Sequence, residues 1–324
     1  MPPVPESPPA LSRAENAALT MLAAWMGERF YRSFRLAADD PDPFDALLTR
    51  RGGRVGVTIG PLWEGGGVAG GEEIERLLAG DLEGAGGYVL WVPPGGALPA
   101  DEPLLSEFRL LIANGLKGLA PGERRELRIP TRLRLAKVDA VGSYVSVSGG
   151  MSELWTSISE GVDGAFHLDS TAIRRLPEEP AEVEVLVSRV HDHAAALAVE
   201  ELSEIAVHDY WLVSRLPADK PAGLTVSGAS PGFDAADAAA GRRLLRRHVR
   251  RASEQRQTGE CEFSVLLLLA SLDHMGHEKT TAALRGMSPA AYGSLDLIAL
   301  VGDGRVREVL QPRSLPWASE DRAT

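Results

Sequence analysis

Residues 263–270, Phe-Ser-Val-Leu-Leu-Leu-Leu-Ala, contain one serine among apolar side chains. The run is far shorter than the roughly 20 residues of a membrane-spanning helix and has the length of a fully buried strand. A chain with such a strand must supply amphipathic helices to cover it. The first candidate lies at residues 11–36, where Leu19, Leu22, Trp25, Met26, Phe30 and Phe34 recur at close to helical spacing. Ser12 followed by Glu15 is the pattern of a capping box at its start. A second helix is expected over 234–255, immediately before the apolar run. Length and an apolar fraction of 44% allow one large or two modest domains with a sizeable core.

The remaining segments fill in an α/β pattern. An acidic, proline-bearing turn at 37–43 precedes two strands, 44–49 and 54–63, around the tight-turn sequence Arg51-Gly52-Gly53. A glycine-rich loop (64–71), a helix (72–79), a buried strand (87–92) and a helix (103–119) follow, so that residues 11–122 read as an αββαβα core. Residues 123–216 change character. Segments 127–138 and 142–148 alternate and suggest antiparallel sheet, 151–159 a short helix carrying Trp155, 165–168 and 182–189 more strands, and 194–211 a helix. Residues 217–233 are rich in Pro, Gly, Ser and Ala and read as a linker. A helix at 279–285 and strands at 295–301 and 306–310 complete the chain. The expected fold is therefore α/β, a mixed sheet flanked by helices, with segments from both ends sharing one sheet, 234–312 completing the core and the middle forming a β-rich insertion. Residues 1–10 read as a disordered leader without a secretion signal and 313–324 as a tail.

The formal net charge of −11 excludes strong non-specific nucleic-acid binding by the surface as a whole, so any such contact must be local. Residues 242–251, Arg-Arg-Leu-Leu-Arg-Arg-His-Val-Arg-Arg, offer one. Arg242, Arg246 and Arg250, and Arg243, Arg247 and Arg251, form two i,i+4 ladders on a helix and could neutralise several phosphates. A solvated face paired with carboxylates is the alternative. The single cysteine, Cys261, excludes an intrachain disulfide and fits a reducing, cytoplasmic location.

Converging carboxylates are the other chemical signal, because Mg²⁺ takes oxygen ligands and activates a bound water for attack on a phosphodiester. Glu15 on the first helix, Asp42-Pro43-Phe44-Asp45, and Val55-Gly56-Val57-Thr58-Ile59 together resemble the core of the PD-(D/E)XK nuclease superfamily. The resemblance covers the first 60 to 90 residues. It implies a restriction-endonuclease-like fold, a catalytic group of Glu15, Asp45 and Thr58, Mg²⁺ held by Asp45 and Glu15, and a prokaryotic defence or repair setting. The chain departs from the pattern at two positions: Thr58 stands where a carboxylate belongs and Gly60 where a lysine belongs. A neutral hydroxyl is a weak ligand, and glycine cannot stabilise transition-state charge. Glu64, six extended residues beyond Thr58, lies roughly 20 Å away along the strand and is a poor substitute.

The expected function is therefore a degenerate nuclease-like domain that binds nucleic acid or assembles within a larger complex. An active Mg²⁺ nuclease and a non-enzymatic scaffold for a basic protein partner are the alternatives. Weaker candidates are His191-Asp192-His193 and Asp273-His274 with His277 as transition-metal ligands, and the small-residue segment 142–150 with Trp155 as a surface for close approach.

Overall fold

The computed structural model describes residues 11–314 apart from 39, 64–66, 81, 83–85, 219, 231–232, 234–236 and 272–276. The leader, most of the tail, Glu64, Asp273 and His274 thus lie outside the described residues. The fold is α/β, with mixed sheets flanked by helices. The chain divides into two compact units, one formed by residues 1–125 with 213–324 and the other by 126–212.

In the first unit a six-stranded sheet has the order β1-β2-β3-β10-β11-β12. These strands are β1 (Arg35–Leu36), β2 (Ala46–Arg50), β3 (Gly53–Pro61), β10 (Phe263–Leu269), β11 (Leu297–Gly302) and β12 (Arg305–Leu310). β1, β2 and β3 form an antiparallel meander, β3 lies parallel to β10 and β10 parallel to β11. Segments separated by two hundred residues therefore share one sheet. β10 is buried at every position, the burial that its unbroken apolar sequence requires. Helix α6 (Ala238–Thr258) covers one face, with Leu244, Leu245, Val249 and Ala252 packed on Leu266, Leu268, Ile298 and Leu300. Helix α1 (Arg13–Phe30) packs on β10, β11 and β12, and helix α7 (His277–Arg285) on β12 and α6. The capping box at Ser12 and Glu15 is formed in full.

The same unit holds α2 (Gly71–Leu78), β4 (Gly87–Trp91), α3 (Leu104–Leu116) and β9 (Gly223–Ser227). Two expectations fail here. β4 does not extend the sheet of β2 and β3 but pairs in parallel with β9. β9 itself lies inside the stretch read as a linker, yet Leu224, Thr225, Val226 and Ser227 are all buried. Pro, Gly and Ser around a strand of five residues masked its short apolar pattern.

The second unit contains β6 (Ser143–Gly149), α4 (Trp155–Ser159), β7 (Gly164–Ser170), α5 (Pro180–Ala196) and all but the outermost two or three residues of β5 (Arg124–Asp139) and β8 (Leu202–Arg215), with the strands in the order β6-β7-β5-β8. β5 and β6 are not a hairpin: β6 runs parallel to β7, which is antiparallel to β5. The helix and strand expected over 182–211 are interchanged. Residues 182–189 alternate Val with Glu and read as a strand, but Leu186, Val190 and Ala194 are the buried positions, spaced by four on a helix opened by Pro180. Residues 202–215 form a strand with Ile205 and Val207 inward between exposed Glu204 and Ala206. Leu133, Leu135, Phe166, Leu168, Val190 and Ile205 are among the residues of this unit's core. No helix among the described residues is long and apolar enough to cross a membrane.

Candidate functional site

Strand pairing brings Asp45 and Thr58 together. Ala46 is in register with Val57, and the Asp45 N–H donates to the Val57 carbonyl at 3.0 Å, so the residue beside Asp45 on β3 is Thr58. The position of Asp45 is fixed by Phe44. Its buried ring packs where a Cβ on Gly56 or on Gly259 would stand, at 2.5 Å from either, so both strands and the α6 terminus close on it only because these two residues are glycine.

Three residues of α6 then complete the site. Arg251 donates through Nη2 to Asp45 Oδ2 and, at 2.6 Å, to the Ile59 carbonyl. Gln255 accepts from the Thr58 hydroxyl and donates to the Pro43 carbonyl. His248 lies against Gly60, where an added Cβ would sit 2.4 Å from the imidazole Cγ, and its Nε2 bonds the Pro61 carbonyl at 3.0 Å. Residues 248, 251 and 255 are one helical turn apart in succession and face the same strand. Both departures from the nuclease pattern thus have a packing counterpart: Gln255 covers Thr58, and His248 fills the space that a residue-60 side chain would need.

The electrostatics agree with this arrangement. Burial raises the Asp45 carboxyl above the usual range, the Ile59 N–H (2.7 Å) and the Arg251 charge oppose the rise, and the nearby charge of Glu15 adds to it. Burial also depresses His248 to about 4, with the guanidinium groups of Arg251 and Arg247 contributing and the Pro61 carbonyl opposing. The imidazole is therefore neutral at pH 7 and donates to Pro61. Glu15 is committed to its own helix terminus, its Oε2 accepting from the Ser12 N–H and hydroxyl, both at 2.8 Å.

These residues do not fit Mg²⁺. Among the described residues no group of three or more His, Cys, Asp or Glu is placed to hold a metal ion. Asp45 already carries a guanidinium, whose charge repels a second cation, and the Thr58 hydroxyl is turned to Gln255.

The arginine ladders are on the solvent face of α6. At about 100° per residue, Arg242, Arg246, Arg250, Arg243, Arg247 and Arg251 span one half of the helix and Leu244, His248, Ala252, Leu245 and Val249 the other. All six arginines are exposed and the other five residues are buried. Three of the six have acidic partners: Arg243 with Asp237 at 3.3 Å, Arg250 with Glu254 at 3.8 Å, and Arg251 with Asp45. Arg242, Arg246 and Arg247 form no ion pair among the described residues. Arg251 is the edge of this stripe, which therefore runs up to the Asp45 site.

The weaker candidates are occupied otherwise. His191 bonds the Ile158 carbonyl at 3.0 Å and His193 the Ser203 hydroxyl at 2.8 Å, both as part of α5 packing. The side chain of His277, like Asp273 and His274, lies outside the described residues. Cys261 is half-buried beside Arg256, and burial raises its thiol. The segment 142–150 is β6 and its flanks, with Tyr144 and Trp155 more than half exposed.

His248, Gln255 and the inward role of Arg251 escaped the sequence reading. Their signal was present as the i, i+3, i+7 spacing of three polar residues on a helix preceding a buried strand. Comparison with known proteins finds no match to the chain among protein-family models, curated proteins or solved structures.

Proposed function

We propose that the chain binds the phosphate backbone of nucleic acid through the solvent face of α6, on a restriction-endonuclease-like core whose acidic centre is filled by its own side chains and does not cleave. The order of helix, antiparallel meander, helix and parallel strand formed by α1, β1-β2-β3, α6 and β10 supports the core assignment. Asp45 beside Thr58 supports the placement of the degenerate centre.

One observation carries the binding reading. In a chain of net charge −11, three exposed arginines of one helix face have no ion pair among the described residues, so their charge is available to phosphate. Neutralising three phosphates gives a slope of about −3 in log affinity against log salt on duplex DNA. The setting, a prokaryotic defence or repair complex, rests on the resemblance alone.

The test is a filter or mobility assay with duplex DNA at low salt. The triple variant Arg242→Glu, Arg246→Glu and Arg247→Glu is expected to lose binding; unchanged affinity removes the proposal. Mg²⁺-dependent cleavage that disappears on Asp45→Ala would replace it with the active nuclease, towards which the proximity of Glu15 to Asp45 points. A wild-type protein that ignores DNA but retains a basic protein in a pull-down would replace it with the scaffold.

A further inference from the structure

We propose that Arg251 is a built-in cation occupying a divalent-ion position formed by Asp45 and the Ile59 carbonyl. Two oxygens, one carboxylate just before β2 and one backbone carbonyl on β3, accept hydrogen bonds from the same atom, Arg251 Nη2. A mixed carboxylate and carbonyl donor set converging on one positive centre is what hard divalent cations take from proteins. A second carboxylate, Glu15, is close enough for its charge to act on Asp45.

The oxygens and the cation have different supports. Asp45 and Ile59 are placed by the register of β2 and β3 and by the Phe44 ring closed between Gly56 and Gly259. Arg251 reaches the oxygens from α6 with its side chain 44% exposed, and the adjacent Gln255 bonds Thr58 and Pro43 independently of it. Removing the guanidinium therefore leaves the oxygens where they are and leaves their negative potential uncompensated. The wild-type chain excludes divalent ions from this point because the position is taken, and a chain without the Arg251 charge acquires affinity for them.

The inference does not depend on nucleic-acid binding, and its test contains no nucleic acid. Free Mn²⁺ is titrated into the full-length protein and followed by the loss of its solution electron paramagnetic resonance signal. Arg251→Met, which keeps the aliphatic stem on the helix surface, and Arg251→Ala are compared with wild type, with thermal melting as the check on folding. Either variant is expected to bind Mn²⁺ at least about tenfold more tightly than wild type, a difference near 1.4 kcal/mol. Addition of Asp45→Asn is expected to abolish the gain. Equal Mn²⁺ binding by wild type and the folded variant, or a gain that survives Asp45→Asn, overturns the proposal. Should Arg251→Ala fail to fold, Arg251→Met decides; if neither folds, Arg251 is a structural residue and the proposal is wrong.

Discussion

Asp45 in the first unit and Asp209 in the second are both carboxylates withdrawn from solvent, and burial raises both above the usual range. Their partners differ in kind. Asp209 Oδ1 accepts from the backbone N–H groups of Arg174 and Arg175 at 2.9 and 2.8 Å, and Oδ2 from the Trp211 indole at 2.7 Å. These donors belong to the backbone and to a buried ring, so Asp209 fastens the 174–175 segment to β8 with nothing free to leave. Asp45 has one backbone donor, Ile59, a side-chain hydrogen bond from Gln255, and a half-exposed guanidinium that reaches it from a helix. A buried acid held by fixed neutral donors is a structural fastener. One held by a long cationic side chain at the surface is a position where one cation can be exchanged for another.

The largest predicted effect follows from that contrast. Asp209→Ala strands three donors in the second unit and is expected to cost about 4 kcal/mol in urea unfolding. Asp45→Ala strands one backbone donor, leaves Gln255 its bonds to Thr58 and Pro43, and frees a guanidinium that can turn to water; it is expected to cost about 1 to 2 kcal/mol. Equal costs would make Asp45 a fastener as well and break the distinction.

His248 gives the next effect, through pH. Its folded value of about 4 lies below the ordinary 6.5, so between these two values the unfolded chain binds a proton that the folded chain refuses. Stability present above pH 6.5 is lost as the pH falls towards 4, by up to about 3 kcal/mol from this residue. His248→Gln removes the titration, and its unfolding free energy is expected to fall less steeply over that interval than that of wild type. Parallel pH profiles would show that the imidazole is protonated in the folded protein.

The same two regions show how much was legible in the sequence. In the first unit the strand 263–269 was plain, because seven residues buried on both faces leave no alternation to misread. The Asp45 and Thr58 pairing was also legible, because the tight turn at Arg51-Gly52-Gly53 fixes the register of the hairpin. Tertiary contacts were not. Nothing local to Gly60 announces that His248 fills its Cβ space, nor does the arginine run announce which of its members turns inward. In the second unit the local pattern itself misled. Val183, Val185 and Val187 alternate as in a strand, and only the core contact of Leu186 and Val190 selects the helix. The exchange of helix and strand over 182–211 is a case of burial overriding propensity.

The smallest predicted effect sharpens the standing of Glu15, which shares features of both acids. Like Asp209 it is fastened locally, to the Ser12 N–H and hydroxyl, and like Asp45 it contributes charge to the centre. Glu15→Gln separates these roles, because glutamine also completes a capping box while carrying no charge. Stability is expected to change by less than about 1 kcal/mol. The Asp45 carboxyl, followed by carbon-13 shifts through an acid titration, is expected to titrate at lower pH in Glu15→Gln, since a like charge that raises it has been removed. An unmoved Asp45 midpoint would assign Glu15 to its helix cap alone and leave Asp45 and Ile59 as the whole of the oxygen site around Arg251.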